Sequence, residues 1–420
     1  MISVGIESMN AFGGSVVLDV MDLARHRQLD MRRFENLLMK EKAVALPFED
    51  PITFGVNAAK PLIDSLSEEE KGQIELLITC SESGIDFGKS ISAYIHQYLG
   101  LNRCCRLFEL KQACYAATAG LQMALNFILS QTSPGAKALV VATDISRFVV
   151  TPGGEALTND WSYFEPSSGA GAVAILVSDD PKVFQVDVGA NGYYGYEVMD
   201  TCRPVPDSES GDVDLSMMSY LDCCENAFIE YQKRVSGVDY QDTFGYLTFH
   251  TPFGGMVKGA HRMMMRKFTK VKLNDIELDF NQRVALGLRY CQRVGNIMGG
   301  TVMLSLSSTI DNGDFTTPKR LGCFSYGSGC CSEFYSGVVT ANGQQWQRQF
   351  EIAAMLDRRY QISIEEYEDL FQGNRSVLFG TRNVTLDPTM LTGMRSAWKD
   401  RPLLTLCEIR EFHREYEWVS

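Results

Sequence analysis

Apolar runs of strand length recur along the chain, and stretches with helical spacing separate them. IELLITC (74–80), KALVVATDI (137–145) and GAGAVAILV (169–177) are nearly continuous apolar runs. Such runs predict strands buried on both faces. SAYIHQYLG (92–100) has helical spacing, and CRLFELKQA (105–113) is strand-like. After it comes a run of small residues and then LQMALNFIL, apolar on nearly all sides. That pattern predicts a helix threading the core. The second half echoes this order without repeating the sequence. FGYLTFH (244–250) predicts a strand followed by a helix, and RYCQRVGNIMGGTVMLSLSSTI (289–310) contains another core helix. KRLGCFSYGSG (319–329) predicts a strand ending in a glycine turn, and EFYSGVVT (333–340) one more strand. Strands alternating with helices indicate βαβ units and an α/β fold. The chain divides into two halves, 1–178 and 179–420. Residues 181–240, rich in Gly, Tyr, Asp and Ser, predict an inserted segment or lid. Residues 345–420, charged and partly helical, are expected to cover the outside. GAGAVA lies inside a strand pattern and predicts tight packing rather than a phosphate loop.

Composition narrows the classes. The 420 residues are 45% hydrophobic and 22% charged, which is ordinary for a globular chain with a large core. A net charge of −13 excludes a general nucleic-acid footprint. The N-terminus lacks the features of a signal peptide, and no apolar run is long enough to cross a membrane. Twelve cysteines invite a disulfide reading, but three vicinal pairs argue against it: Cys104–Cys105, Cys223–Cys224 and Cys330–Cys331. There is no C-x-x-C pair and the five histidines are scattered, so no metal site is expected. A reducing cytoplasm fits these thiols best.

Candidate chemistry stands where α/β folds keep their sites, at the C-terminal ends of strands. Glu82 follows one strand, Cys114 another, and His250 ends a third. Ser328 lies in the glycine turn, and Asn296 opens a small-residue helix. Each has a bland alternative. Cys114 could be simple packing, or a thiol whose pKa the helix N-terminus lowers toward thiolate. Glu82 and Asn296 could be caps, and His250 a half-buried histidine with satisfied hydrogen bonds. Together they compose a nucleophile, a base and an electrophile stabiliser.

QACYAAT, ATDISRF, FHTPF, RYCQRVGNI and FSYGSGCCSEFYSG resemble the motifs of 3-hydroxy-3-methylglutaryl-CoA (HMG-CoA) synthases, condensing enzymes of the thiolase fold. The likeness runs from LDMRRFENLLMKEKAVA to FHREYEW, nearly the whole chain. LITCSESGIDFGKS, YGYEVMDTCRPVPDSE and HTPFGGMVKGAHR resemble the polyketide branch, whose members install β-methyl branches on carrier-protein-bound chains. The resemblance implies a thiolase-like fold, two related βαβ halves in a layered αβαβα core, and a homodimer. It implies Cys114 as nucleophile, Glu82 as the catalytic glutamate that removes a methyl proton, and His250 as the catalytic histidine. Asn296, Tyr326, Ser328 and Gly329 would bind substrate. No cofactor would be bound; acyl groups would arrive on the phosphopantetheine of donor and acceptor carrier proteins, or on coenzyme A. Where primary-metabolism members tend to carry Trp before the Arg-Pro of the middle segment, this chain has Cys202 before Arg203 and Pro204, placed to reshape the acyl pocket. The alternatives are a primary enzyme using free coenzyme A esters, a ketosynthase-like Claisen enzyme, and a non-catalytic carrier scaffold.

Carrier proteins are acidic, so an acidic enzyme needs a local basic patch to meet one. KGAHRMMMRKFTKVK (258–272) contains no acid. Lys258, Arg262, Arg266 and Lys270 recur every four residues and predict one stripe of a helix. RHR (25–27) and the pair Arg32–Arg33 form a second cluster. The same groups could bind coenzyme phosphates, or simply face solvent.

Overall fold

The computed structural model describes residues 2–147, 161–205, 208–389, 394 and 401–420. Phe148 of ATDISRF and Pro206 and Asp207 of the middle motif lie outside the described residues. A nine-stranded sheet organises the chain. Its strands are β1 (Gly5–Phe12), β2 (Ile74–Cys80), β3 (Arg106–Leu110), β4 (Lys137–Ile145), β5 (Ala170–Ser178), β6 (Phe184–Gly195), β7 (Tyr246–Phe249), β8 (Lys319–Gly327) and β9 (Cys331–Val339). They run in the order β7-β8-β9-β6-β1-β5-β4-β2-β3. From the middle outward the two halves match. β1 pairs antiparallel with β5, β5 antiparallel with β4, and β4 parallel with β2. β6 pairs antiparallel with β9, β9 antiparallel with β8, and β8 parallel with β7. The echo seen in the sequence is therefore a repeat of topology. Gly5↔Gln185 and Ile6↔Phe184 join the halves.

Helices fill both faces of each half. The main ones are α1 (Pro51–Asp64), α2 (Ile91–Leu99), α3 (Ala116–Leu129), α4 (Val213–Arg234), α5 (Gly254–Phe268), α6 (Ala285–Val294) and α7 (Gly300–Asn312). Strand alternation sorts their contacts. Ala138, Val140 and Ala142 of β4 share one packed cluster with Ala117 and Leu121 of α3 and Val302 and Leu306 of α7. Leu139 and Val141 face the other way, into a cluster with Phe54 of α1 and Ile95 of α2. In the second half, Leu321 and Cys323 of β8 join the α3/α7 cluster, while Phe324 packs with Phe228 of α4 and Val257 of α5. The layers thus run helix, sheet, helix, sheet, helix, as the resemblance implies. Each fully buried Leu, Ile, Val or Phe contributes roughly 1.5–3 kcal/mol.

Two expectations are corrected. Residues 181–240 are not an insertion or lid as a whole. They supply β6 at the centre of the sheet and the 22-residue helix α4, which buries Tyr220, Phe228 and Tyr231. The sequence FQVDVGANGYYG hid the strand because α4 presses on it: a Cβ on Gly192 would lie 2.1 Å from Tyr231 N. Only 201–211 forms a small hairpin, Thr201–Val205 against Ser208–Gly211. The C-terminal segment is also more than a cover. The hairpin of Leu403–Arg410 and His413–Val419 buries Leu404, Leu406 and Tyr416 in the α1/α2 cluster. Arg414 and the Tyr416 hydroxyl both bond Asp50, the N-cap of α1, at 2.9 and 2.7 Å.

Candidate active site

Strand ends bring the sequence candidates to one cavity of about 810 Å³. Glu82 stands two residues beyond β2, Cys114 four beyond β3, and His250 immediately after β7. Asn296 lies in the turn between α6 and α7; Tyr326 and Ser328 come from the end of β8 and its turn. All six line the cavity. Gly329 does not: its N–H donates to Asp200 Oδ1 at 2.9 Å, so its role is to hold the turn. The Tyr326 hydroxyl donates to the other Asp200 oxygen at 2.6 Å. The turn presses on the nucleophile segment, and a Cβ on Gly327 would lie 2.5 Å from Tyr115 N.

The Cys114 thiol donates to Glu82 Oε1 at 3.4 Å. Ala113, just before it, has φ +44°, a left-handed conformation that costs a non-glycine residue energy and is common at functional sites. Cys114 precedes the first residue of α3 by two positions. The expectation of a helix-lowered thiol pKa fails here. Burial pushes the thiol well above its usual value, and the Glu82 carboxylate adds to that. Cys114 therefore rests as a thiol, with the Glu82 carboxyl group in reach of its proton.

Glu82 is itself pushed up by burial. Asp144 holds its backbone: Oδ1 accepts from the N–H groups of Glu82 and Ser83 at 2.8 and 3.0 Å, and from both serine hydroxyls of the turn. Arg203, from the 201–211 hairpin, places Nε 3.7 Å from Glu82 Oε2 and pairs with Glu209. His250 is 1% exposed and held at both ends of its backbone: its N–H donates to Phe324 O at 2.8 Å, and its carbonyl accepts from the Tyr220 hydroxyl at 2.7 Å. Burial pulls the imidazole down to about 3, so it is neutral at physiological pH. Asn296 Oδ1 accepts from Met298 N at 3.0 Å and Thr301 Oγ1 at 2.9 Å. Its NH₂ has no acceptor among the described residues.

Sequence reasoning gave no role to Asp144, Asp200, Tyr220 or Glu209. Asp144 left a signal, a carboxylate ending the apolar run KALVVATDI. The others sit in a middle segment with no clear periodicity.

The basic stripe is only partly built. Lys258 Nζ lies 2.7 Å from Glu277 Oε2, and Arg262 pairs with the same carboxylate. Arg266 is exposed on α5. Lys270 is off the helix, which ends at Phe268. Arg33 lies on the short helix Met31–Glu35, and the turn after it docks on the start of α5, where Gly255 N–H donates to Leu37 O at 3.1 Å. RHR is occupied internally: Arg25 pairs with Asp22, His26 with Glu368, and Arg27 with Glu165. Among the described residues, no group of histidine, cysteine and carboxylate side chains is placed to hold a metal.

Comparison with known proteins decides the family. Residues 2–182 match the model for the hydroxymethylglutaryl-coenzyme A synthase N terminal region, and residues 265–390 the model for its C terminal region. The chain belongs to the hydroxymethylglutaryl-CoA synthase family. It is 71% identical, over the full length of both chains, to the polyketide biosynthesis 3-hydroxy-3-methylglutaryl-ACP synthase PksG of Bacillus subtilis. It is 32% identical to a hydroxymethylglutaryl-CoA synthase of Enterococcus faecalis, covering 88% of this chain and 91% of that one. The structure of the curacin biosynthetic pathway HMG synthase in complex with acetyl donor-ACP superposes with a TM-score of 0.96, at 64% identity, covering 99% and 100% of the two chains. The protein is thus a condensing enzyme of the HMG synthase type with the thiolase-like fold.

Proposed function

We propose that the enzyme takes an acetyl group from an acyl carrier protein onto Cys114 and adds it, as an enolate, to the β-ketone of a carrier-bound β-ketoacyl thioester. The product is an HMG-type branched intermediate of polyketide biosynthesis. The observation that carries this reading is the 3.4 Å contact between Cys114 Sγ and Glu82, in one cavity with His250 and Asn296.

Cys114 sulfur attacks the acetyl thioester and its proton leaves toward Glu82; the carrier thiolate departs and takes that proton from Glu82, which is again a carboxylate. The N–H groups of Cys114 and Ser328, which have no acceptor among the described residues, can hold the thioester oxygen. Glu82 then takes a methyl proton. The C–H pair becomes the enolate double bond and attacks the ketone carbon. Neutral His250 and the Asn296 NH₂ donate to the developing alkoxide, which takes a proton. Water cleaves the Cys114 thioester, releasing the carboxylate and restoring the thiol.

Identity to the PksG protein and the bound donor-ACP of the curacin synthase support carrier-protein delivery. Arg266, exposed on the helix that follows His250, is the best-placed cation for docking, with Arg33 beside the same helix. Arg266→Glu is expected to slow acetyl transfer from carrier protein about tenfold, an effect that shrinks as salt rises. Transfer from a short pantetheine thioester should stay unchanged. Equal loss with both donors would contradict docking there. A homodimer, and a reducing cytoplasm for the twelve free cysteines, complete the proposal. No helix among the described residues is long and apolar enough to cross a membrane.

A further inference from the structure

The 201–211 hairpin brings two opposite charges to the wall of the cavity, Arg203 and Glu209. Arg203 is anchored on three sides. One Nη reaches the Glu82 carbonyl at 3.4 Å and Ser83 Oγ at 3.3 Å, and the other bonds Glu209. Its Nε is buried, makes no hydrogen bond, and stands 3.7 Å from Glu82 Oε2. That separation is too long for a hydrogen bond and short enough for strong attraction. The acetylation and aldol steps call on no guanidinium. Four charged or titratable groups surround Glu82: Arg203, Glu209, the Cys114 thiol, and Asp144 beneath its backbone. His250 shares the cavity, and Asp86, Lys89, Glu109 and Lys111 line it too.

We propose that Arg203 is the positioning residue for Glu82, and that Glu209 restrains Arg203 so that the two together set the proton affinity of Glu82 for enolisation. This rests on the reading of Glu82 as the base. A buried carboxylate with no cation nearby keeps its proton at neutral pH and cannot act as a base. One locked in a full guanidinium pair is ionised but too weak a base. Shared between Glu82 and Glu209, the guanidinium holds Glu82 between those limits. When Glu82 accepts the methyl proton it becomes neutral, and Arg203 keeps Glu209 as its partner.

The test loads Cys114 with acetyl from a short pantetheine thioester, then follows deuterium uptake into the acetyl methyl group in D₂O across pH by mass spectrometry. Arg203→Gln should load acetyl within about threefold of wild type. Its exchange at neutral pH should fall at least tenfold, with the rising limb displaced to higher pH. Arg203→Lys should bring the limb part of the way back. Glu209→Gln should displace the limb to lower pH, because a repelling charge is lost and Arg203 is released toward Glu82. Opposite displacements in the two variants are a result that loosened structure alone would not give. Displacement in the same direction, no displacement, or loss of acetyl loading in Arg203→Gln would each overturn the inference. Glu82→Gln serves as the control. If it exchanges normally, the reading of Glu82 as the base fails; if it does not exchange while the other variants behave as wild type, only the role of Arg203 fails.

Discussion

His250 shows how one buried side chain constrains the pH behaviour. It is neutral down to about pH 3, so its charge cannot shape the activity near neutrality. Glu82 is pushed up by burial and must be ionised to act, so activity should rise with pH as Glu82 loses its proton. Burial also raises Asp144, beneath the Glu82 backbone, to about 7, so the acid limb belongs to this pair of carboxylates rather than to His250. His250→Asn is expected to lower condensation by ~10²–10³, the loss typical of an oxyanion donor. The limb should stay where it is in the pH–rate profile; a limb that moves with His250 would reassign it. Cys114, Glu82, His250 and Asn296 were legible because each ends or begins a strongly patterned segment. Arg203 and Glu209 were not. Their meaning lies in a contact with Glu82 more than a hundred residues away, in a stretch whose local pattern says only that it is polar. The state of Cys114, open in sequence between packing and a lowered thiol pKa, was not legible for a related reason. Position near a helix start is visible in sequence, while burial beside a carboxylate is not.

At the scale of elements, the cavity depends on how closely the β8–β9 turn meets the segment carrying Cys114. Gly327→Ala would place a Cβ 2.5 Å from Tyr115 N and 2.6 Å from Gln112 O. Backbone must move to relieve that contact. The expected outcome is a loss of acetyl loading of tenfold or more, with a lowered thermal midpoint because Tyr326 and Cys330 on either side of the turn pack in the α4/α5 cluster. Unchanged loading would show that the turn does not position the nucleophile. β2, β4 and β5 were legible as continuous apolar runs because helices cover them on both faces. β6 was not, because five of its twelve residues are exposed and its glycines make room for α4. α4 was missed since its buried face is carried by tyrosines and cysteines among polar residues. The supposed helical stripe overran the real one: α5 stops at Phe268, with Thr269 in extended backbone at its C-cap.

At the scale of the whole molecule, β3 ends the sheet, and among the described residues no strand lies on its outer side. Leu107 is 37% exposed on it, and Met123 on α3 is 44% exposed. An open edge beside exposed apolar residues is a template for pairing with another chain. The proposed homodimer would use it, with β3 of two copies side by side. Leu107→Glu is then expected to yield a monomer in sedimentation velocity, and an intact dimer would place the interface elsewhere. The repeat of topology between the halves, hinted at by the order of elements, puts the thiol and carboxylate of one half against the imidazole and amide of the other. The central claim is that this arrangement runs two separable steps, acetyl storage on Cys114 and then enolisation by Glu82. The most direct test mixes wild-type enzyme, Glu82→Gln and Cys114→Ala with acetyl-loaded carrier protein and a β-ketoacyl carrier, and follows all species by intact-protein mass spectrometry. Wild type should convert the acceptor. Glu82→Gln should accumulate acetyl on Cys114, loading more slowly than wild type because the thiol loses its proton acceptor, and condense ~10²–10⁴ more slowly, the usual cost of losing a general base. Cys114→Ala should carry no acetyl group. Near-normal condensation by Glu82→Gln, or acetylation of Cys114→Ala, would contradict the account.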